Sequence, residues 1–152
     1  MRAILTFFAV LGLDLGTKAW VEKNLPQREK REIVKNHLYI WHIKNRGLAY
    51  HSFDGKRKGI LLSTGGLLLY YSVLFWKSLR KGGDHRLAMP LALTLGGGYA
   101  NFWERLRKGE VTDFLFVPLP MKNPPIFNGA DLAILLGAGW LTGCAFRKNK
   151  KK

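Results

Sequence analysis

The chain has 152 residues, enough for one domain, with a hydrophobic fraction of 47% and a formal net charge of +15 at pH 7. Its basic residues flank long apolar runs, which favours anionic lipid headgroups as neighbours and disfavours a soluble nucleic-acid-binding protein with one basic face. The single cysteine, Cys144, excludes a disulfide framework and a thiolate metal site. The four histidines show no ligand spacing, so neither a metal nor another cofactor is expected.

The first apolar run, residues 3–21, is long enough to span a membrane and has no small-residue cleavage site after it. It contains Asp14 and Lys18, which are four apart and share a helix face, so they can pair. Charges inside a span usually face a protein interior or water. The alternative is a pair near the helix end, with Lys18 extended towards the surface.

Residues 22–58 are polar and basic. Within them, residues 33–53 alternate in part between polar positions and β-branched or aromatic ones, which predicts short strands with a turn at Asn45–Gly47. A small sheet at the membrane surface would place four aromatic side chains in the interfacial belt: Tyr39, Trp41, Tyr50 and Phe53. The alternative is an ordinary β-hairpin without a functional role.

Three further spans are predicted at residues 59–76, 87–104 and 129–146. In the third, the Gly96-Gly97-Gly98 triplet would weaken a soluble helix by about 1 kcal/mol per residue, but it lets membrane helices approach closely, so we predict helix packing there. Between the last two spans, residues 105–128 contain a predicted strand, Val111–Val117. The chain is thus predicted to be one mostly α membrane domain over residues 1–152, with four transmembrane helices and a small β-sheet element.

Two aspartates stand where polar chain meets apolar chain. Asp113 is followed by FLFVPLP, and Asp131 opens the fourth apolar run. Two acids close together in a partly dry site tend to share a proton, which is how an aspartic peptidase polarises a water molecule and a carbonyl. The alternatives are that Asp113 is a solvated strand-end residue and that Asp131 caps a helix behind Asn128.

The orientation follows from the basic residues beside short span ends. The 77–86 loop contains four Lys or Arg and the tail from residue 147 contains five. Both are therefore predicted to be cytoplasmic, which places residues 22–58 and 105–128 on the outer side.

Four separated segments resemble the motifs of one family, the lipoprotein signal peptidases (signal peptidase II). They are DLGTK (14–18), NRGLAYHSF (45–53), GGGYANFWERLRKGEVTDF (96–114) and FNGADLAI (127–134). They occur in the family's order, with the spans between them, and cover most of the chain. Four positions depart from the motifs: Glu104 stands where Asp is usual, Ala100 for Gly, Gly129 for Val and Tyr50 for Phe.

The resemblance implies a bacterial inner-membrane aspartic endopeptidase with four spans, cytoplasmic termini and a periplasmic β-element that cradles the substrate. Such enzymes remove the signal peptide of a prolipoprotein just before a diacylglyceryl-modified cysteine. By matching position, Asp113 and Asp131 are the catalytic pair, and the site faces the periplasm. The supporting positions are Asn45, Gly47, Asn101, Arg105, Asn128, Ala130, Asp14, Lys18 and Glu104.

The expected partners are a lipidated prolipoprotein and membrane lipid, with no nucleic acid, and the protein is expected to be a monomer. The expected chemistry is water-mediated hydrolysis without a covalent intermediate. Glu104 is expected to pair with Arg105 or a nearby cation and to tolerate replacement by Asp. The alternative is a catalytically silent lipid- or peptide-binding protein of the same fold.

Overall fold

In the computed structural model, which describes residues 1–47 and 57–149, the described chain forms four long helices and one small sheet. The helices are α1 (Arg2–Asn24), α2 (Arg57–Leu79), α3 (Ala88–Lys108) and α4 (Gly129–Asn149). The strands are β1 (Lys30–Val34), β2 (Leu38–Asn45), β3 (Val111–Phe116) and β4 (Ile126–Phe127). The predicted mostly helical architecture with a small sheet is confirmed.

Among the described residues, three helices are long and apolar enough to cross a membrane: α1, α2 and the 129–147 part of α4. They expose large apolar side chains along their outer surfaces, including Leu5, Leu69 and Leu135. Such surfaces suit a lipid environment, because a soluble monomer rarely exposes apolar patches of this size. The remaining long helix, α3, packs against all three others and buries more than half of its own residues.

The glycine triplet of α3 makes this central position possible. A methyl group added to Gly96 would lie 2.9 Å from the backbone of α1, and one added to Gly97 would lie 2.4 Å from the carbonyl oxygen of Ala130 in α4. One added to Gly98 would lie 2.6 Å from Leu68 in α2. Each of the three consecutive glycines thus meets a different helix, and the predicted role in helix packing is confirmed.

The sheet is antiparallel, with strand order β1-β2-β3-β4, and it lies at the end of the bundle where α1 and α3 end and α4 begins. Val21, Leu25 and Phe114 form a buried apolar cluster that joins α1 to the sheet. Pairing of β2 with β3 sets Ile43 opposite Asp113, so the register of these two strands determines where Asp113 lies.

The β1–β2 turn lies at residues 35–37, where Asn36 adopts a left-handed conformation (φ 59°) that Asn tolerates better than most residues. The predicted turn at Asn45–Gly47 coincides with a bend at residues 46–47, after β2 ends, where the Gly47 N–H donates to Asn45 Oδ1. The rest of the predicted strand segment, residues 48–53 with Tyr50 and Phe53, lies outside the described residues.

The other two residues of the predicted aromatic belt lie on the sheet beside Phe116. The ring of Trp41 meets that of Phe116 edge-on at 5.3 Å, and Lys30 Nζ lies 4.0 Å from the centroid of the Tyr39 ring. Aromatic rings and a cation at the end of a membrane bundle are typical of an interfacial surface. The location of Tyr39 and Trp41 at the membrane interface stays a prediction.

Gly97→Ala tests the close packing of α3 on α4. The added methyl group would clash with the Ala130 carbonyl, so we expect the variant to lose about 1–3 kcal/mol of unfolding free energy. Thermal or denaturant unfolding of purified protein in detergent measures the loss. Gly139→Ala is the matched control, because nothing lies within 4 Å of the added atom. Equal stability of the two variants would contradict the packing argument.

Candidate active site

Asp113 lies in β3 and is 4% exposed, so the alternative of a solvated strand-end residue is wrong. Its Oδ2 accepts a hydrogen bond from Asn45 Nδ2 at 2.9 Å, and its Oδ1 accepts one from Asn128 Nδ2 at 2.7 Å. Burial, helped by the negative charge of Asp131, raises the pKa of Asp113 from 3.8 to about 6 against the opposing influence of these two donors. The Asp113 carboxyl can therefore gain or lose a proton near neutral pH.

Asp131 lies half-buried in the first turn of α4. Its Oδ2 accepts from the backbone N–H of Asn128 at 3.1 Å, and its own N–H donates to Asn128 Oδ1 at 3.0 Å. This reciprocal arrangement is a helix cap, so the capping interpretation is confirmed. Asp131 Oδ1 also accepts from Asn101 Nδ2 of α3 at 2.8 Å. The carboxylate therefore belongs to a tertiary network as well as to the cap.

Asn128 joins the two aspartates. Its side-chain amide donates to Asp113 and accepts from the backbone of Asp131, and the residue is fully buried. An amide group offers both functions at once, and neither can be reversed here without losing a contact. One asparagine thus brings a strand carboxylate and a helix carboxylate into one site.

Lys18 is 1% exposed and has three polar partners. Its Nζ lies 2.6 Å from Asn101 Oδ1, 2.7 Å from Asp14 Oδ2 and 3.3 Å from Glu104 Oε2. The alternative in which Lys18 extends towards the surface is therefore wrong. Since Asn101 donates from its other amide atom to Asp131, the Lys18 ammonium fixes the orientation of Asn101 and, through it, the position of the Asp131 carboxylate.

Asp14 connects the same lysine to the start of α4. Its Oδ1 accepts from the backbone N–H of Ala130 at 2.7 Å, and Ala130 is fully buried. The negative charge thus lies at the helix N-terminus, where it is stabilised. A Cβ on Gly129 would stand 3.2 Å from that same oxygen, so the missing side chain leaves room for Asp14.

Glu104, 2% exposed, pairs with Lys18 and also with Lys108 at 3.1 Å. The expectation of a nearby cation is confirmed, and Arg105 has a different contact. Its Nη2 donates to the carbonyl oxygen of Gly47 at 2.9 Å, while the N–H of Gly47 donates to Asn45 Oδ1 at 3.0 Å. Arg105 therefore binds the bend that follows Asn45, and Asn45 is the residue that donates to Asp113.

Sequence analysis did not identify four residues of a second polar cluster, which adjoins the site: Glu22, Lys44, Lys108 and Thr112. Glu22 Oε1 accepts from Lys44 and lies 2.8 Å from Thr112 Oγ1, and Lys108 Nζ lies 2.7 Å from Glu22 Oε2. Two signals were present in the sequence, because Glu22 follows Lys18 and Lys108 follows Glu104 by one helical turn. The β2–β3 register that adds Lys44 and Thr112 had no such signal.

All eleven site residues predicted from the sequence lie in one network of hydrogen bonds and ion pairs at the sheet end of the bundle. Apolar helices around a polar core of paired carboxylates, amides and a buried lysine define the class: a multi-pass membrane protein with a site at one end of its helix bundle.

A family model described as signal peptidase (SPase) II matches residues 6–147. The lipoprotein signal peptidase of Syntrophus aciditrophicus is 32% identical, covering 98% of this chain and 94% of the relative. That of Halalkalibacterium halodurans is 30% identical, covering 93% of this chain and 90% of the relative. The chain therefore belongs to the signal peptidase II family.

Two solved structures of a bacterial membrane enzyme, determined by the in meso method at 2.3 and 1.9 Å, have the same fold. Their TM-scores are 0.90 and 0.84, and both are 24% identical to this chain. They cover 99% and 95% of it, and 91% and 92% of their own chains.

The pKa of Asp113 predicts a pH-dependent stability. Because the folded protein holds this proton up to about pH 6 and the unfolded chain releases it near pH 3.8, stability is lost as pH rises between these values. The loss is about 2–3 kcal/mol and is complete above pH 7. Asp113→Asn lacks this contribution, so its unfolding free energy relative to wild type should increase from pH 4 to pH 7. Unfolding in detergent across this range measures it; a pH-independent difference would contradict the raised pKa.

Proposed function

We propose that this chain is an aspartic endopeptidase of the bacterial inner membrane that removes the signal peptide from diacylglyceryl-modified prolipoproteins. The observation that carries the aspartic mechanism is the bridge through Asn128, which joins a buried strand carboxylate, Asp113, to a helix-cap carboxylate, Asp131. Membership of the signal peptidase II family supplies the substrate class.

The two carboxylates divide the chemistry between them. One, ionised, takes a proton from water, whose oxygen then bonds to the scissile carbonyl carbon. The other, protonated, donates a hydrogen bond to the carbonyl oxygen and later delivers a proton to the departing amine as the C–N bond breaks. The elements of water are thus added across the peptide bond, with no covalent enzyme intermediate. The pair shares one proton, so we assign these roles to the pair as a unit.

The surroundings of the pair support a singly protonated state. The positive charge of Arg105 interacts with both Asp113 and Asp131, and one shared proton leaves the pair with a single negative charge that Arg105 balances. Each carboxylate oxygen that accepts from an amide donor keeps a second lone pair. Asn45, Asn101 and the Asn128 amides can therefore orient the aspartates without blocking water or the substrate.

We further propose that α3 is the fourth span. It has 21 residues, about 30 Å of helix, and the other three helices shield its polar residues from lipid. The basic 77–86 loop and the tail then lie in the cytoplasm, and the sheet and the aspartates face the periplasm. One chain supplies both aspartates and all their described partners, so a monomer suffices, and the substrate reaches the site from the membrane.

Reporter fusions test this topology. A reporter active only in the periplasm should be silent when it is fused after Lys152 or inserted at Gly82, because both positions follow basic span ends. The same reporter inserted at Met121, between β3 and β4, should be active. A strong periplasmic signal from Lys152 would reverse the orientation and place the aspartates on the cytoplasmic side.

Amide substitutions test the catalytic pair. Asp113→Asn and Asp131→Asn should each abolish cleavage of a lipidated prolipoprotein by purified protein in detergent, because an amide can neither act as base nor share the proton. The double variant should be little worse than either single variant, since residues that act as one unit are strongly non-additive.

The same assay separates catalysis from capping. If Asp131 only capped α4, Asn in its place would still cap the helix and cleavage would stay near normal. Folding of each variant is checked by thermal unfolding in the same detergent. Substantial cleavage by either folded single variant would rule out the aspartate pair, and an inactive wild type would favour a silent binding protein.

A further inference from the structure

Thr112 lies directly before Asp113 in β3 and is fully buried. Successive side chains of a strand point to opposite faces, so Thr112 points away from the aspartate pair while sharing its backbone. Contacts that fix the Thr112 backbone and side chain therefore also fix the direction in which the Asp113 side chain points from the strand.

The Glu104 carboxylate binds both hydrogen-bond donors of Thr112. Its Oε2 accepts from the Thr112 backbone N–H at 3.1 Å, and its Oε1 accepts from the Thr112 hydroxyl at 2.7 Å. Glu104 is itself held by the Lys18 and Lys108 ammonium groups. Two contacts to one residue fix its rotation as well as its distance, which a single hydrogen bond would not do.

A second carboxylate competes for the same hydroxyl, because Glu22 Oε1 also lies 2.8 Å from Thr112 Oγ1. A hydroxyl carries one hydrogen and can donate to one acceptor at a time. Glu22 already has Lys44 and Lys108 as donors, and Lys44 also donates to the Thr112 oxygen at 2.8 Å. We assign the hydroxyl hydrogen to Glu104, because its oxygen is the nearer of the two, at 2.7 against 2.8 Å, and the same carboxylate accepts from the adjacent N–H.

This contact belongs to a cluster of six charged groups: Asp14, Glu22 and Glu104 with Lys18, Lys44 and Lys108. Their formal charges cancel, and they come from α1, α3 and β2. Since each has an opposite charge within the cluster, the cluster can hold a fixed geometry while the aspartates exchange protons during the reaction.

We propose that Thr112 is a positioning residue for the peptidase reaction. Its N–H and hydroxyl both bind Glu104, and this fixes the place in the strand from which the Asp113 carboxyl reaches Asn45 and Asn128. The inference rests on the proposed function. It also reverses the expectation that Glu104→Asp is tolerated. A carboxylate withdrawn by one methylene cannot keep Lys18 and both donors of Thr112, and misplacing a catalytic group by about 1 Å can cost about 100-fold in rate.

Steady-state cleavage of a lipidated prolipoprotein by the full chain in detergent tests the inference. Thr112→Val keeps the shape of the side chain and removes the hydroxyl, so kcat per folded molecule should fall about 10- to 100-fold while KM changes little. Thr112→Ser restores the hydroxyl and should restore most of kcat. Thr142→Val is the matched control, because within the described chain the Thr142 hydroxyl bonds to its own helix at Ala138, on an exposed part of α4, and its kcat should equal that of the wild type.

A merely structural role gives a different pattern. Thr112→Val would then have a lower unfolding temperature with an unchanged kcat per folded molecule, and that result would overturn the inference. Should Thr112→Val not fold, Glu104→Asp decides, because it keeps the charge balance: a reduced kcat at unchanged KM supports the inference and a wild-type kcat overturns it. An inactive wild type would overturn the proposed function and the inference with it, whereas an active wild type alongside a fully active Thr112→Val overturns the inference alone.

Discussion

The structure depends on the buried ammonium group of Lys18. An ammonium group inside an apolar bundle is tolerated only if it is paired and hydrogen-bonded, and leaving such a charge unpaired costs about 3–5 kcal/mol. Lys18 meets this demand with Asp14, Asn101 and Glu104, which belong to two helices. Each partner uses its remaining capacity on the site: Asp14 on the start of α4, Asn101 on Asp131, and Glu104 on Thr112. The three partners that neutralise and hydrogen-bond Lys18 therefore also fix the positions of both aspartates.

The close packing of the helices and the geometry of the site are coupled in the same way. Gly97 allows α3 to touch α4 at the Ala130 carbonyl, and Ala130 is the residue whose N–H binds Asp14. Asp131 follows it immediately. The distance between two helices is thus set within one residue of a proposed catalytic group. A bundle that only needed to cross the membrane would not require such a contact at this point.

Much of this architecture was predictable from the sequence. The apolar runs locate the helices, and the two aspartates stand out because each lies at a junction of polar and apolar chain. The four-residue spacing of Asp14 and Lys18 correctly indicated a pair. What could not be predicted depends on long-range register. The register between β2 and β3 decides which β2 residue lies opposite Asp113. It also decides whether Thr112 lies within reach of Glu104. The β1–β2 turn at residues 35–37 was missed because Asn45-Arg46-Gly47 has the stronger turn composition.

The two aspartates also differ in when they are made. Asp113 belongs to β3, whereas Asp131 opens the last of the four long helices in the described chain. Asn128, which joins them, lies just ahead of that helix. During synthesis, a chain that has been made as far as β3 contains only one of the two aspartates. The proposed catalytic pair is therefore complete only when the start of α4 has been made and packed beside β3.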